Sequence, residues 1–133
     1  MVIQKTTASD DASKQATLLN PSVLESLRDL AGDQHLDIIN SYQNFAEEAV
    51  SDLEKAVAEN NAAEVLSIAH SLKSSSLQLG ATQLGELARE METMGLDGDL
   101  GSARKMMQQI LVVSQQVQAE FTDYIEKEKA ANG

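Results

Sequence analysis

The sequence predicts an all-α protein: an up-down antiparallel four-helix bundle with an additional short helix at its N-terminal end. First, apolar residues recur at three- and four-residue steps along most of the chain, which is the helical period. Second, there are only 7 glycines and 1 proline, too few for the turns of a β-rich fold. Third, the predicted connections are short, and short connections favour antiparallel neighbours in a bundle.

Composition limits the classes of function. A length of 133 residues fits one domain. The absence of cysteine excludes disulfides and thiolate metal sites and fits the cytoplasm. There is no signal-peptide pattern and no apolar run of the roughly 20 residues that a membrane span needs. The net charge of -11 argues against nucleic acid and anionic membranes as partners, because the field of the protein repels both.

The N-terminal part predicts an arm followed by a short helix. Residues 1–19 are polar and lack helical periodicity, so we expect a flexible arm. Asn20 is a good N-cap, Pro21 fits the first helical position, and Gly32 is a natural end. This helix should cover the bundle like a lid. Its predicted apolar face comprises Val23, Leu24, Leu27 and Leu30.

A long second helix follows. Asp33 can cap it, and it should reach about Glu59, where two asparagines break the pattern. His35 comes just after the predicted start, and we expect it to be a plain surface residue. Tyr42 and Phe45 flank the apolar stripe. That stripe comprises Leu36, Ile39, Ala46, Val50, Leu53 and Val57.

The third and fourth helices are bounded by glycines. The third should span residues 62–79 and end at Gly80. Thr82 can cap the fourth, which should end at Gly95. The stripe of the third helix comprises Val65, Ile68, Ala69, Leu72, Ser76 and Leu79. The stripe of the fourth comprises Leu84, Leu87, Ala88, Met91 and Met94.

The fifth helix follows a Gly/Asp loop over residues 95–101 and should run to about Lys127. Its apolar positions alternate four- and three-residue steps, as in the seam of a bundle helix. They are Ala103, Met107, Ile110, Ser114, Val117, Phe121 and Tyr124. Residues 129–133 should fray, so we assign the helical domain to residues 20–128.

The third helix carries the candidate functional residue, His70. It lies roughly 160° from Leu72 around the helix and should therefore face away from the core. An outward imidazole can attack a phosphoryl group through a ring nitrogen, and Lys73, at i+3, is placed to approach that phosphate. The rest of this face should contact a partner, through small polar residues and two leucines that the core does not need. It comprises Leu66, Ser67, Ser74, Leu77 and Gln78.

Motifs of several other chemistries are absent. There is no phosphate-binding Gly-rich loop and no dinucleotide-binding turn. The Asp97-x-Asp99 segment fails as a calcium loop because Gly101 and Gln108 stand where acidic ligands are required. Neither histidine follows a glutamate by three residues, as a di-iron bundle would need. A histidine on the outside of a bundle also has no oxyanion hole, so an autonomous enzyme is not indicated.

The run Ala69-His70-Ser71-Leu72-Lys73-Ser74-Ser75-Ser76 resembles the motif of histidine-containing phosphotransfer (HPt) domains. That motif reads approximately A-H-x-L-K-G-S-x-x-x-x-G-A-x-x-L-x-x-L. The resemblance continues through Leu79-Gly80-Ala81, Leu84, Leu87, Gly95 and Gly98-Asp99-Leu100 and covers residues 20 to 127. Ser74 departs from the family, which usually has glycine after the lysine.

This resemblance implies a phosphoryl carrier without kinase activity of its own. His70 would take the group from an aspartyl phosphate on one receiver domain and pass it to the aspartate of another. Lys73 would steady the phosphohistidine. Mg²⁺ would belong to the receiver, so the chain would need no cofactor. The implied partners are the receiver domains of a hybrid sensor kinase and of a response regulator, and the chain would act as a monomer.

Two other classes of function stay open at this point. One is an interaction module that binds another protein without carrying phosphate. The other is a helical oligomerisation domain, in which Leu66 and Leu77 would form the self-contact. The sequence also leaves open whether this is a free-standing protein or the C-terminal piece of a hybrid kinase, and in which direction phosphate flows.

Overall fold

The computed structural model describes residues 18–132, which form five α-helices and no strand. Helices α2 and α3, α3 and α4, α4 and α5, and α2 and α5 pack against each other, which closes a four-helix bundle. This confirms the predicted all-α bundle with a short additional helix. The helices are α1 (Pro21–Ala31), α2 (His35–Ala58), α3 (Ala62–Gln78), α4 (Thr82–Asp97) and α5 (Leu100–Asn132). The predicted arm lies, up to residue 17, outside the described residues.

The core is formed by the apolar stripes of all four bundle helices. Two aromatic side chains meet in its interior, where the rings of Tyr42 and Phe121 make an edge contact with centroids 5.4 Å apart. The predicted stripes are confirmed by their burial. The fully buried members include Ile39, Leu53, Val65, Leu72, Leu84, Met91, Ile110 and Val117. Tyr42 belongs to this core, whereas Phe45 remains exposed at the surface.

Helix α1 covers one end of the bundle through its first turns. Asn20 caps it as predicted, because its Oδ1 accepts a hydrogen bond from the Ser22 amide at 3.0 Å. Leu24 is buried, but Leu30 is 88% exposed, so the prediction that Leu30 belongs to the apolar face is wrong. Leu30 lies about 120° from Leu24 around the helix and therefore points away from the bundle.

His35 is buried, so the prediction that it is a surface residue is wrong. A 3-10 turn over Gly32–Gln34 precedes α2, which begins at His35 rather than at Asp33. The His35 Nδ1 donates to the Gly32 carbonyl at 2.7 Å, and its Nε2 accepts from the Tyr124 hydroxyl at 3.0 Å. The last turns of α5 cover this end of α2, and the local sequence around His35 contains no sign of that contact.

The start of α4 also differs from the prediction. Thr82 is the first residue of the helix rather than its cap, and Ala81 occupies the N-cap without a side-chain hydrogen bond. The Thr82 hydroxyl instead donates to the Gly80 carbonyl at 3.4 Å. Gly80 adopts φ +84° and lies against Asn20 at the start of α1, whose amide donates to the Gly80 carbonyl at 2.7 Å. The turn is therefore held by α1.

The predicted loop over residues 95–101 is much shorter in the structure. Helix α4 continues past Gly95 to Asp97, and Gly98 ends it with a left-handed conformation. Asp99 then caps α5, since its Oδ1 accepts from the Ser102 amide at 3.1 Å. At the other end, α5 remains helical to Asn132, beyond the end predicted near Lys127.

Gly95 lies inside α4 because α3 passes very close to it. A Cβ atom at this position would lie 2.7 Å from the Leu66 amide nitrogen and 3.0 Å from its Cα. Backbone cannot rotate aside as a side chain can, so we expect Gly95→Ala to destabilise the fold by about 2 kcal/mol. The measurement is the free energy of unfolding in urea. Gly101→Ala is the control, since a Cβ atom at that exposed helical glycine would have only an ordinary van der Waals neighbour, the Asp99 Oδ1 at 3.9 Å, and we expect it to stabilise by up to about 1 kcal/mol. Equal effects of the two substitutions would contradict the close approach.

Tyr42 makes the stability of the fold sensitive to alkaline pH. Its hydroxyl is hydrogen-bonded to the Ser76 hydroxyl at 2.7 Å, and burial raises the pKa of Tyr42 to about 12. Between pH 10 and 12 the folded protein keeps this proton while the unfolded chain has lost it. The free energy of unfolding should therefore fall by about 1.4 kcal/mol per pH unit in that window, with no contribution from Tyr42 below it.

Tyr42→Phe should remove this slope, which urea unfolding at a series of pH values would measure. A residual slope is expected from Tyr124, whose pKa is also raised, by burial and by the nearby Glu128 carboxylate. An unchanged slope in Tyr42→Phe would mean that another group titrates in this window.

Candidate functional site

The side chain of His70 projects from the outer surface of α3. Asn61 caps this helix by accepting a hydrogen bond from the Glu64 amide at 3.2 Å. The buried positions of α3 then fix how the helix is turned, and they are Val65, Ala69, Leu72 and Ser76. This orientation leaves the His70 side chain 61% exposed, as predicted.

Glu92, on the neighbouring helix α4, connects His70 to Lys73. Its Oε2 lies 2.8 Å from the His70 Nδ1, and its Oε1 lies 2.8 Å from the Lys73 Nζ. The side chains of Glu92 and Lys73 are only 21% and 20% exposed, so both are partly shielded from solvent. One carboxylate therefore holds both of the residues that the sequence predicts to handle a phosphoryl group.

The charge of Glu92 settles which ring nitrogen of His70 carries the proton. Hydrogen bonds from Lys73 and then from His70 lower the pKa of Glu92, although burial opposes them. The carboxylate is therefore ionised and can only accept, so the His70 Nδ1 donates to it. The neutral ring then has its lone pair on Nε2, which has no hydrogen-bond partner among residues 18–132. In this tautomer the ring could act as a nucleophile only through Nε2.

Sequence reasoning missed Glu92, which lies 22 residues from His70 along the chain. A signal was nevertheless present. Ala88, Glu92 and Gly95 follow one another at four- and three-residue steps, so Glu92 lies on the small-residue side of α4. Because small residues allow a neighbouring helix to approach closely, an acidic residue among them lies near that helix.

The residues predicted to form the partner-contact face differ in their exposure. Ser67 and Gln78 are exposed, whereas Ser74 and the leucines Leu66 and Leu77 are half-buried. Leu77 packs over Gly85 of α4, where an added Cβ would lie 2.5 Å from the Leu77 Cδ2. Only part of each leucine is thus available to another protein, and the docking role of this face stays a prediction.

A second surface lies between α3 and α2 and shares Ser67 with the partner-contact face. It is a shallow groove of about 160 Å³ that combines apolar and acidic side chains. Ser67 and Ser71, which flank His70 in the sequence, form part of its wall. Its other lining residues are Phe45, Glu48, Ala49, Asp52 and Ile68. The sequence did not indicate this groove, because it depends on how α2 packs against α3.

Two further properties concern the described part of the chain. None of its helices is long and apolar enough to cross a membrane. Within residues 18–132, no group of three or more His, Cys, Asp or Glu side chains is arranged to hold a metal ion.

Comparisons with known proteins concern the family and the fold of this chain. The sequence matches the family model of the Hpt domain over residues 37–127, which contain His70, Lys73 and Glu92. The fold is similar to the crystal structure of histidine-containing phosphotransfer protein B (HptB) from Pseudomonas aeruginosa PAO1. That comparison has a TM-score of 0.81 and 25% sequence identity, and it covers 84% of this chain and 97% of the HptB chain. A search among curated proteins found no significant match.

Proposed function

This chain belongs to the Hpt domain family, and from that premise we propose that His70 carries a phosphoryl group between two receiver domains in a multistep phosphorelay. The observation that carries the proposal is the exposed imidazole whose Nδ1 is bound to Glu92 at 2.8 Å. It supports a role for Nε2 as the nitrogen that accepts the phosphoryl group. The match to HptB, a histidine-containing phosphotransfer protein, supports the same role.

The proposed reaction needs no proton transfer. The Nε2 lone pair attacks the phosphorus of an aspartyl phosphate on the first receiver, and an N–P bond forms. The P–O bond breaks, and its electron pair returns to the aspartate carboxylate. Nδ1 keeps its proton throughout, because it is already hydrogen-bonded to Glu92. Transfer to the aspartate of the second receiver reverses these steps.

Lys73 is proposed to neutralise the phosphoryl charge. Its Nζ lies one helical turn from His70 and is held 2.8 Å from the Glu92 carboxylate. A flexible four-carbon side chain lets the ammonium turn from Glu92 towards a phosphate on Nε2. Phosphoryl transfer depends mainly on this kind of positioning and charge stabilisation.

The remaining requirements fall on the partners. We propose that the receivers of a hybrid sensor kinase and of a response regulator supply the acidic pocket and Mg²⁺, so that this chain acts as a monomeric carrier without a cofactor or kinase activity. Docking would use the face of Leu66, Ser67, Ser74, Leu77 and Gln78. Ser74 adds a hydroxymethyl group beside this face where the family usually has glycine, and it is half-buried.

The test is a phosphotransfer assay. A receiver domain carrying radioactive aspartyl phosphate is mixed with the full chain, and the product is tested for acid-labile, alkali-stable label and mapped by mass spectrometry. Label on His70 is the expected result. If receivers and the small donor phosphoramidate all leave His70 unlabelled, the interaction-module hypothesis replaces the carrier hypothesis. A stable dimer by light scattering that covers His70 would favour the oligomerisation domain.

A further inference from the structure

We propose that the Glu92 carboxylate keeps the ring of phosphorylated His70 protonated at Nδ1, so that the imidazole departs as a neutral group when the phosphoryl group is handed on. This inference rests on the proposed function. Glu92 would act not only on the His70 ring that attacks the first aspartyl phosphate but also on the same ring when it leaves the phosphorus in the onward transfer. It is carried by geometry, since the Glu92 Oε2 lies 2.8 Å from Nδ1, the ring nitrogen that does not bind phosphorus. Glu92 is thus a positioning residue that acts through His70.

The charge on the ring changes during the proposed reaction. Once Nε2 bears the phosphoryl group and Nδ1 keeps its proton, the ring is cationic. In the onward step, an aspartate oxygen of the receiver attacks phosphorus, the N–P bond breaks, and its electron pair returns to Nε2. The ring leaves neutral, with its proton still on Nδ1. Without that proton, the same bond cleavage would expel an imidazolate anion, which is a far poorer leaving group.

The charged groups on α3 and α4 support this role for Glu92. One oxygen of the carboxylate contacts the His70 Nδ1, and Lys73 occupies the other oxygen at 2.8 Å. When Lys73 turns towards the phosphoryl group, the Glu92 carboxylate keeps its hydrogen bond to the cationic ring of phosphorylated His70 as its remaining charged contact. Arg89, the nearest cation on α4, is bound to Glu86 at 3.0 Å and does not occupy the Glu92 carboxylate.

The charged groups on α2 have the same sign as Glu92. Glu48 and Asp52 line the groove between α2 and α3, which also contains Ser67 and Ser71 of α3. Neither carboxylate is hydrogen-bonded to the ring, so they add a weaker, more screened field than Glu92. Both would favour a cationic ring.

The experiment compares Glu92→Gln with the wild-type chain. Glutamine keeps the length of the side chain and an oxygen that can accept the Nδ1 hydrogen bond, but it removes the charge. Both proteins are labelled with ¹⁵N-histidine and phosphorylated with phosphoramidate, and the Nδ1 resonance of phosphorylated His70 is followed against pH by NMR. We expect the midpoint of Nδ1 protonation in Glu92→Gln to fall by about one pH unit.

Onward transfer should follow the same titration. At about pH 8, transfer from phosphorylated Glu92→Gln to a receiver should be about tenfold slower, and the difference should vanish in acid, where both rings are protonated. Glu92→Asp keeps the carboxylate, so its midpoint of Nδ1 protonation should lie between those of Glu92→Gln and the wild type. Glu90→Gln makes the same charge change at an exposed position on α4 and should titrate like the wild type.

Different results would overturn the proposed function and the role of Glu92. If the wild-type chain accepts no phosphoryl group on His70, the proposed function falls, and this inference falls with it. If His70 is phosphorylated but the midpoints of Glu92→Gln and wild type coincide, only the inference is overturned. A midpoint shift of equal size in Glu90→Gln would also overturn it, because it would show a general field of the acidic protein.

Discussion

Replacing His70 with glutamine is expected to abolish phosphoryl transfer completely. The glutamine side chain has an amide nitrogen without a nucleophilic lone pair, so no N–P bond can form. The only other histidine, His35, cannot substitute, because it is buried against Gly32 and Tyr124. The measurement is acid-labile label on the chain after incubation with a phosphorylated receiver, over a time in which the wild type is fully labelled.

The His70→Gln variant should remain folded, because His70 is largely exposed and surface substitutions usually change stability by less than about 0.5 kcal/mol. His35→Gln is the matched control, the same substitution at the other histidine. It should cost roughly 1–3 kcal/mol, because it disturbs buried hydrogen bonds, yet still accept label under conditions in which circular dichroism shows it folded. Label on His70→Gln at the wild-type level would refute the assignment of the phosphoryl acceptor.

The same variant separates the carrier from an interaction module. A carrier without its histidine can still bind a receiver but cannot pass on a signal. A pure interaction module would bind and signal normally as His70→Gln. Measuring receiver binding by calorimetry together with transfer to the response regulator therefore distinguishes the two hypotheses.

Replacing Lys73 with glutamine is expected to slow phosphoryl transfer between about tenfold and a hundredfold. This decrease in rate corresponds to the loss of one cationic contact with the transferring phosphoryl group. It is smaller than in a closed active site because the site is partly open to solvent. Stability should change by less than about 1 kcal/mol, since the Lys73–Glu92 pair is still partly exposed to solvent and His70 continues to contact the carboxylate. Rapid-quench measurement of transfer from a phosphorylated receiver gives the rate.

Lys55→Gln provides the control for Lys73. It removes the same charge from an exposed position in the last turn of α2, at a lysine that forms no ion pair with Glu92. Its transfer rate should match that of the wild type at moderate salt. If Lys55→Gln slows transfer as much as Lys73→Gln, the effect of Lys73 is a general attraction between proteins rather than a contact with the phosphoryl group.

Local sequence was sufficient to predict the helices and the direction of His70. The buried stripe through Val65, Ala69 and Leu72 turns α3 in only one way, so the outward direction of His70 follows from its spacing. The same argument predicts the seam of α5, whose members from Ala103 to Phe121 are buried. Helical periodicity is a property of a few consecutive turns and needs no knowledge of the neighbours.

Predictions at the helix ends were less accurate, and each error has a tertiary cause. Gly95 is a residue type that often ends a helix. Here it lies inside α4, and its lack of a side chain allows the Leu66 backbone of α3 to approach closely. Thr82 is a residue type that often caps a helix. Here the turn before α4 is instead held by the hydrogen bond from the Asn20 amide, at the start of α1, to the Gly80 carbonyl. The same residue types fit either role, and only the neighbouring helix decides between them.

The sequence by itself determined the number and phase of the helices and the buried stripes of the four bundle helices, and it indicated His70 and Lys73 as one outward pair. The tertiary structure decided that Glu92 joins this pair and that His35 lies buried beneath Tyr124. The His70–Glu92 and His35–Tyr124 contacts connect residues 22 and 89 positions apart in the chain, so they depend on how helices cross. Helix crossing is set by the packing of whole surfaces, whereas the direction of one side chain follows from its own helix.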